Sequence, residues 1–242
     1  MPLYRDEAIV LRTHKLGEAD RIITLLTRHH GRVRAVARGV RRTTSRWGSR
    51  LEPFNHVDLQ FAEGRSLDTI TQAETLTPLH SRIALDYERY TAGTVMLETA
   101  ERVVTEEREP ATQQFLLLVG GLRAMSGHAQ PAPQVLDSYL LRAMSVAGYA
   151  PSFDHCVGCG DEGPHRFFNP SAGGVMCVVC KLPGSATPAE QTVRALAALL
   201  TGEWETIAGT DARHLREASN LVGAYVAWHL ERGLRSMAYV ER

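Results

Sequence analysis

No stretch of the 242 residues approaches eighteen consecutive apolar positions, which argues against a transmembrane helix. The opening residues Met1-Pro-Leu-Tyr-Arg-Asp-Glu7 lack the apolar core of a signal peptide, so a cytoplasmic location is expected. There is no internal repeat and no low-complexity tract. A GxxxxGK[ST] phosphate loop, a GxSxG elbow and an HExxH pair are all missing, so ATP hydrolysis at a P-loop, serine hydrolysis and zinc-protease chemistry lack support. No catalytic residue is assigned, and the chain is read as a binding protein rather than an enzyme. Cysteine is scarce too: Cys156, Cys159, Cys177 and Cys180 are the whole complement.

Those four carry the sharpest local signal. Two Cys-x-x-Cys pairs at this separation match a tetrahedral zinc site with four thiolate ligands. A cytoplasmic setting favours metal over disulfide. Four cysteines close the coordination shell, so one structural Zn2+ is expected, with no open position for chemistry. Gly158 and Gly160 suit a tight knuckle at the first pair, and Gly173-Gly174 at the second. A segment this short cannot bury a core unaided, so the metal would supply its folding energy. His155 and His165 are read as surface residues.

The formal net charge is zero, but it is unevenly placed. Residues 1–50 hold twelve Lys/Arg and four Asp/Glu (12 − 4 = +8); residues 51–242 hold fifteen and twenty-three (15 − 23 = −8). A basic region of this kind implies a polyanionic partner. Between Arg32 and Arg50 seven of nineteen residues are arginine (Arg32, Arg34, Arg38, Arg41, Arg42, Arg46 and Arg50) and none is acidic. The guanidinium fork matches phosphate oxygens and stacks on bases. Gly39 and Gly48 allow close backbone approach, and Thr43, Thr44, Ser45 and Ser49 add small donors. Trp47 is a candidate base-stacking residue, although beside Leu51 and Phe54 it also reads as core. The turn residues His29-His30 and the paired acids Glu106-Glu107 are read as solvated.

The periodicity gives an α+β multidomain chain. Five short strands are expected in residues 1–78: Ala8–Leu11, Arg21–Thr27, Arg32–Ala37, His56–Phe61 and Leu67–Glu74. Alternation in the third puts Val33 on one face and Arg32 and Arg34 on the other. Five strands in this length suit an OB-type barrel that binds nucleic acid. Helical spacing follows over 79–152, the first part of a helical domain, with helices predicted at Gln113–Met125 and Gln134–Ala147. The four-cysteine module occupies 153–184, and 185–242 form the second part of the helical domain. There Thr187 is the expected N-cap, Pro188 the first helical position and Glu190 the partner in a capping box. That helix is predicted to run to Leu200, and a last long helix from Asp211 to Tyr239.

Taken together, Ala8–Leu11, Leu16–Thr27 with Gly31, Val36–Arg42, Ser45-Arg46, Leu51–Phe54, Leu140–Met144, Gly148-Tyr149 and the cysteine module resemble the RecO family of bacterial recombination mediators, over nearly the whole chain. Where that family often has lysine before the glycine of the basic loop, this chain has Arg38. The resemblance implies DNA repair and recombination by the RecF pathway: binding of single- and double-stranded DNA, annealing of complementary strands, and loading of recombinase onto DNA coated by single-stranded-DNA-binding protein. It implies a RecR-type mediator protein as partner, the C-terminal tail of the single-stranded-DNA-binding protein as another, and a nucleoid-associated location. Arg123, Arg142, Arg216 and Arg235 are candidate rim residues for that tail. Read from the residues alone, an RNA-binding or transcription-linked OB/zinc-ribbon module and, further off, a zinc-dependent enzyme remain rivals.

Overall fold

The computed structural model describes residues 2–43, 45, 47–230 and 233–240. The chain divides into two compact units, Met1–His128 and Ala129–Arg242. Among the described residues no helix is long and apolar enough to cross a membrane.

The first unit is built on five strands: β1 (Leu3–Leu16), β2 (Asp20–Thr27), β3 (Arg32–Ala37), β4 (His56–Ala62) and β5 (Asp68–Thr77). They close in the order β1-β2-β3-β5-β4, the topology of an OB barrel. Alternation fills the interior with Ala8, Val10, Ile23, Leu25, Val33, Ala35, Val57, Leu59, Phe61 and Ile70. The apolar runs of β1 and β2 do not alternate, because both faces are covered. Ile9, Leu11 and Leu26 are buried on the outer side, where helices α2 (Tyr87–Val103) and α3 (Thr112–Gly127) pack on β1, and α3 also on β2. A short α1 (His80–Ile83) precedes α2, whose N-cap Asp86 accepts a hydrogen bond from the Arg89 N–H.

Closure between β3 and β5 is brief. Parallel pairing spans only Ala35↔Asp68 and Val36↔Thr69. The segment after α2 lies along the rest of β3, with bridges from Glu107 to Gly31 and Arg32 and a bond from Arg108 N–H to Arg32 C=O at 3.1 Å. Gly31 is required here: its φ is +58°, and a Cβ would stand 1.8 Å from the Glu109 carbonyl oxygen. Arg108 crosses to β5, donating to Asp68 at 2.7 Å and to Glu63 at 3.1 Å. The Asp68 side chain is fully buried and also accepts from Tyr4 O–H and Gly64 N–H. Burial and the bond to Asp68 both push the Tyr4 hydroxyl well above its ordinary pKa.

The β2–β3 turn is organised around a second buried carboxylate, Asp6. It accepts the backbone N–H of His29 and His30 at 3.0 and 3.2 Å and the Nδ1–H of both rings at 2.9 and 2.7 Å. Those rings remain on the surface, as expected, but each is oriented by Asp6.

The second unit contains α4 (Ala132–Val146), a hairpin of β6 (Phe167–Asn169) and β7 (Gly174–Met176), then α5 (Glu190–Thr201), α6 (Trp204–Ala208) and α7 (Ala212–His229). Two expectations need correction. Thr187 is not the N-cap of α5: the cap is Ala189, with no side-chain bond of its own. Glu217 of α7 instead accepts from the N–H of that cap residue, Ala189, and from the Thr192 hydroxyl. The last helix ends at His229, and Arg235–Tyr239 form a separate 3-10 turn. Both α6 and the β6–β7 hairpin add to the elements expected from periodicity.

Burial alone would raise the Asp6 carboxyl, but the hydrogen bonds from His30, His29 and Thr27 outweigh it and hold it below its ordinary value. A folded-state value below the unfolded one stabilises the fold fully above about pH 4, and this contribution is lost as the pH falls through the lowered value. Asp6→Asn is therefore expected to lower stability at pH 7 by about 1–3 kcal/mol and to flatten its decline in acid. Urea unfolding between pH 3 and pH 7 measures both effects.

Candidate nucleic-acid interface and metal centre

The arginine-rich segment is anchored from inside the barrel. Val40, Trp47 and Leu51 enter the same apolar cluster as the strand residues. Trp47 is only 7% exposed, and its indole N–H donates to the Arg38 carbonyl at 3.1 Å. Of the two readings of Trp47, stacking residue or core, this burial favours the core. Its ring is a core anchor, and buried it offers no open face for a base to stack on. On the outside, Gly39 N–H donates to the Asp20 carboxylate at 2.7 Å and Arg41 N–H to the Ala19 carbonyl at 2.9 Å. Both bonds tie the loop to the β1–β2 turn.

The seven arginines divide by what they already hold. Arg32 donates to the Glu101 and Thr105 carbonyls at 3.4 and 2.7 Å, so it secures the C-terminal end of α2. Arg34 pairs with Glu107 at 2.9 Å. Arg41 is exposed but donates to the Gly17 and Glu18 carbonyls. Arg50 is exposed and donates to the Ala73 carbonyl of β5 at 3.1 Å. Arg38 and Arg42 are exposed, and among the described residues no carboxylate lies within ion-pairing reach of either guanidinium. Arg46 and Thr44 lie outside the described residues. Among the described residues of the expected contact set, Arg38 and Arg42 are thus the uncommitted cations.

Glu107, expected to be a solvated acid, is 40% exposed in its side chain, yet it pairs with β3. Its partner is an opposite charge more than seventy residues earlier, which no local pattern links to it. Of the rim candidates for a partner tail, Arg123 lies in the first unit, and Arg142, Arg216 and Arg235 in the second. Arg142 is committed to the Leu200 carbonyl at 2.9 Å.

The four cysteines converge. Their sulfurs all lie within 4.8 Å of one another, the only such group of potential ligands among the described residues. Four thiolates about 2.3 Å from one ion would be spaced about 3.8 Å apart; Cys159 and Cys177 are 3.9 Å apart. Backbone N–H groups point at the sulfurs, Cys177 N–H to Cys156 at 3.3 Å and Cys180 N–H to Cys177 at 3.4 Å. The Cys156 thiol is lowered to about 6, chiefly by the Cys177 N–H, against the opposing effect of burial and with help from Cys159 and Gly158. The donor set fits one tetrahedrally held metal ion, and no position is left for a reacting molecule. Cys156, Cys159, Cys177 and Cys180 therefore form a structural metal centre, between whose two halves the β6–β7 hairpin runs. Gly158 serves space rather than a positive φ: a Cβ would stand 2.7 Å from Cys180 Cβ.

The comparisons agree with this architecture. The model described as recombination protein O N terminal matches residues 1–79, and recombination protein O C terminal matches 84–238. The chain belongs to the RecO family. A protein of Nocardioides sp. named DNA repair protein RecO is 72% identical over 243 residues, covering 99% of this chain and all of the relative. Proteins of the same name from Streptomyces avermitilis and Cutibacterium acnes are 60% and 52% identical, each match covering both chains in full. The OB-type barrel, helical region and cysteine centre are this RecO chain's architecture.

Gly158→Ala is expected to force Cys180 out of position. Metal content by elemental analysis of the purified protein should fall well below one ion per chain, whereas Gly120→Ala in α3, with nothing within 4 Å of its added Cβ and no positive φ, should retain it.

Proposed function

We propose that the chain binds single- and double-stranded DNA through the arginine loop of its barrel, residues 1–78, and anneals complementary strands. By the same reading it helps to load recombinase onto DNA coated by single-stranded-DNA-binding protein. A RecR-type mediator and the tail of the coating protein are its partners, and the nucleoid is its location. The observation that carries this reading is the pair of exposed, uncommitted cations Arg38 and Arg42 on a loop anchored by Val40, Trp47 and Leu51. Family membership supplies the DNA-repair setting.

Phosphate recognition needs cations that need not abandon a partner. Arg38 and Arg42 meet that condition, while Arg41 and Arg50 hold the loop to the β1–β2 turn and to β5 and present their remaining donors beside them. Annealing follows from charge: two strands held at one cationic rim repel each other less. No step of this requires bond chemistry, and no residue is assigned a catalytic role.

The metal in this reading is Zn2+, held by Cys156, Cys159, Cys177 and Cys180 as the folding nucleus of residues 153–184. Purified protein should contain one equivalent of zinc. Chelation should raise amide exchange across 153–184 and leave exchange in the barrel unchanged.

Arg38→Glu with Arg42→Glu is expected to weaken binding of a single-stranded oligonucleotide by tenfold or more. It should also reduce the dependence of log affinity on log salt by about 0.7 for each phosphate that is no longer neutralised. Fluorescence anisotropy between 50 and 200 mM salt reads both. Unchanged affinity in a variant with an unchanged melting temperature would place the DNA site elsewhere.

A further inference from the structure

We propose that Glu107 is an internal competitor for nucleic-acid phosphate at Arg34, which sets how far along β3 a bound strand is gripped. This rests on the arginine loop being the nucleic-acid site. Arg34 stands on the outward face of β3, the strand that feeds the loop. A strand held at Arg38 and Arg42 and continuing along β3 meets Arg34 next. There it finds the Glu107 carboxylate on the guanidinium at 2.9 Å.

The carboxylate is placed by backbone rather than by a chance rotamer. Glu107 bridges to Gly31 and Arg32, the neighbouring Arg108 N–H binds the Arg32 carbonyl, and the bare Gly31 lets the Glu109 carbonyl approach. The acid is thus held against β3 by a segment that also carries Glu106 and Glu109, all of it exposed.

The pair is also exchangeable. The side chains of Arg34 and Glu107 are 47% and 40% exposed, so water and salt screen the attraction. A backbone phosphodiester carries the same single negative charge and offers two oxygens to the guanidinium fork, so it can replace the carboxylate. Arg32, one turn of the alternation away, is different. Its side chain is 22% exposed and bonded to two backbone carbonyls at the end of α2, so displacing it would loosen the helix. Glu107 also stands 3.7 Å from the Arg32 guanidinium, but that side chain is already committed to the end of α2, so Arg34 is the cation that Glu107 withholds from a strand.

The test is a double-mutant cycle on the full chain, read by anisotropy of a labelled single-stranded oligonucleotide. Glu107→Gln keeps the shape of the side chain and removes its charge. It is expected to tighten binding several-fold at low salt and to steepen the salt dependence by about 0.7, the effect of one more phosphate neutralised. In an Arg34→Gln background the same change should bring no gain. The proposal is overturned if Glu107→Gln leaves affinity and salt slope unchanged, or if its gain persists without Arg34, which would make it a general charge effect. The Arg38→Glu, Arg42→Glu variant tells failure of the loop site from failure of the Glu107 proposal. If it binds like wild type, the loop is not the DNA site. If it loses binding while the cycle shows no coupling, only the Glu107 proposal has failed.

Discussion

The buried carboxylate of Asp68 is the constraint on which the first unit depends. Two residue pairs join β3 to β5, too few for a barrel seam to close on backbone hydrogen bonds alone. Asp68 sits at that seam and accepts from Tyr4 on β1, from Gly64 in the β4–β5 turn and from Arg108 beyond α2. A buried carboxylate left unpaired costs several kcal/mol, so each donor is held in place by the need to satisfy it. Through Arg108 the same carboxylate fixes the segment that lies along β3, and with it the position of Glu107. The charge pattern of the outer barrel face thus follows from one buried acid at its seam.

The loop shows how a nucleic-acid surface can be rigid and cationic together. Arginines cannot pack against one another, so the described part of the loop takes its shape from apolar residues turned inward and from backbone bonds to neighbouring turns. Val40, Trp47 and Leu51 are the inward anchors, and Asp20, Ala19 and Gly17 the outer ones. What remains for a partner is the small number of guanidinium groups that this framework does not use. The arginine count in sequence overstates the available charge, because Arg32 serves α2 and Arg34 faces Glu107.

Features set by neighbours in the chain are legible in the sequence. Each Cys-x-x-Cys pair puts its own two sulfurs within reach of one ion by local spacing, and strict alternation in Arg32–Ala37 determines which side chains face outward. The order of strands and helices can be read from the change of period near Leu79. Features set by distant partners cannot. Trp47 reads equally as stacker or anchor until the barrel interior is seen. Asp6, Asp68 and Glu107 resemble any surface acid, because their partners are brought to them only by the closed barrel. Thr187 has a sound local capping pattern, but Glu217 on α7 supplies a charged acceptor that no local pattern anticipates.

That distant acceptor has a further consequence. The N–H of the residue before α5 and the Thr192 hydroxyl in its first turn are met by a carboxylate belonging to α7, so these two groups lack that partner until α7 has docked. The seating of α5's first turn is then tied to the C-terminal part of the unit. A chain still emerging from the ribosome would hold the cysteine module complete while α5, already synthesised, waited for Glu217 to arrive.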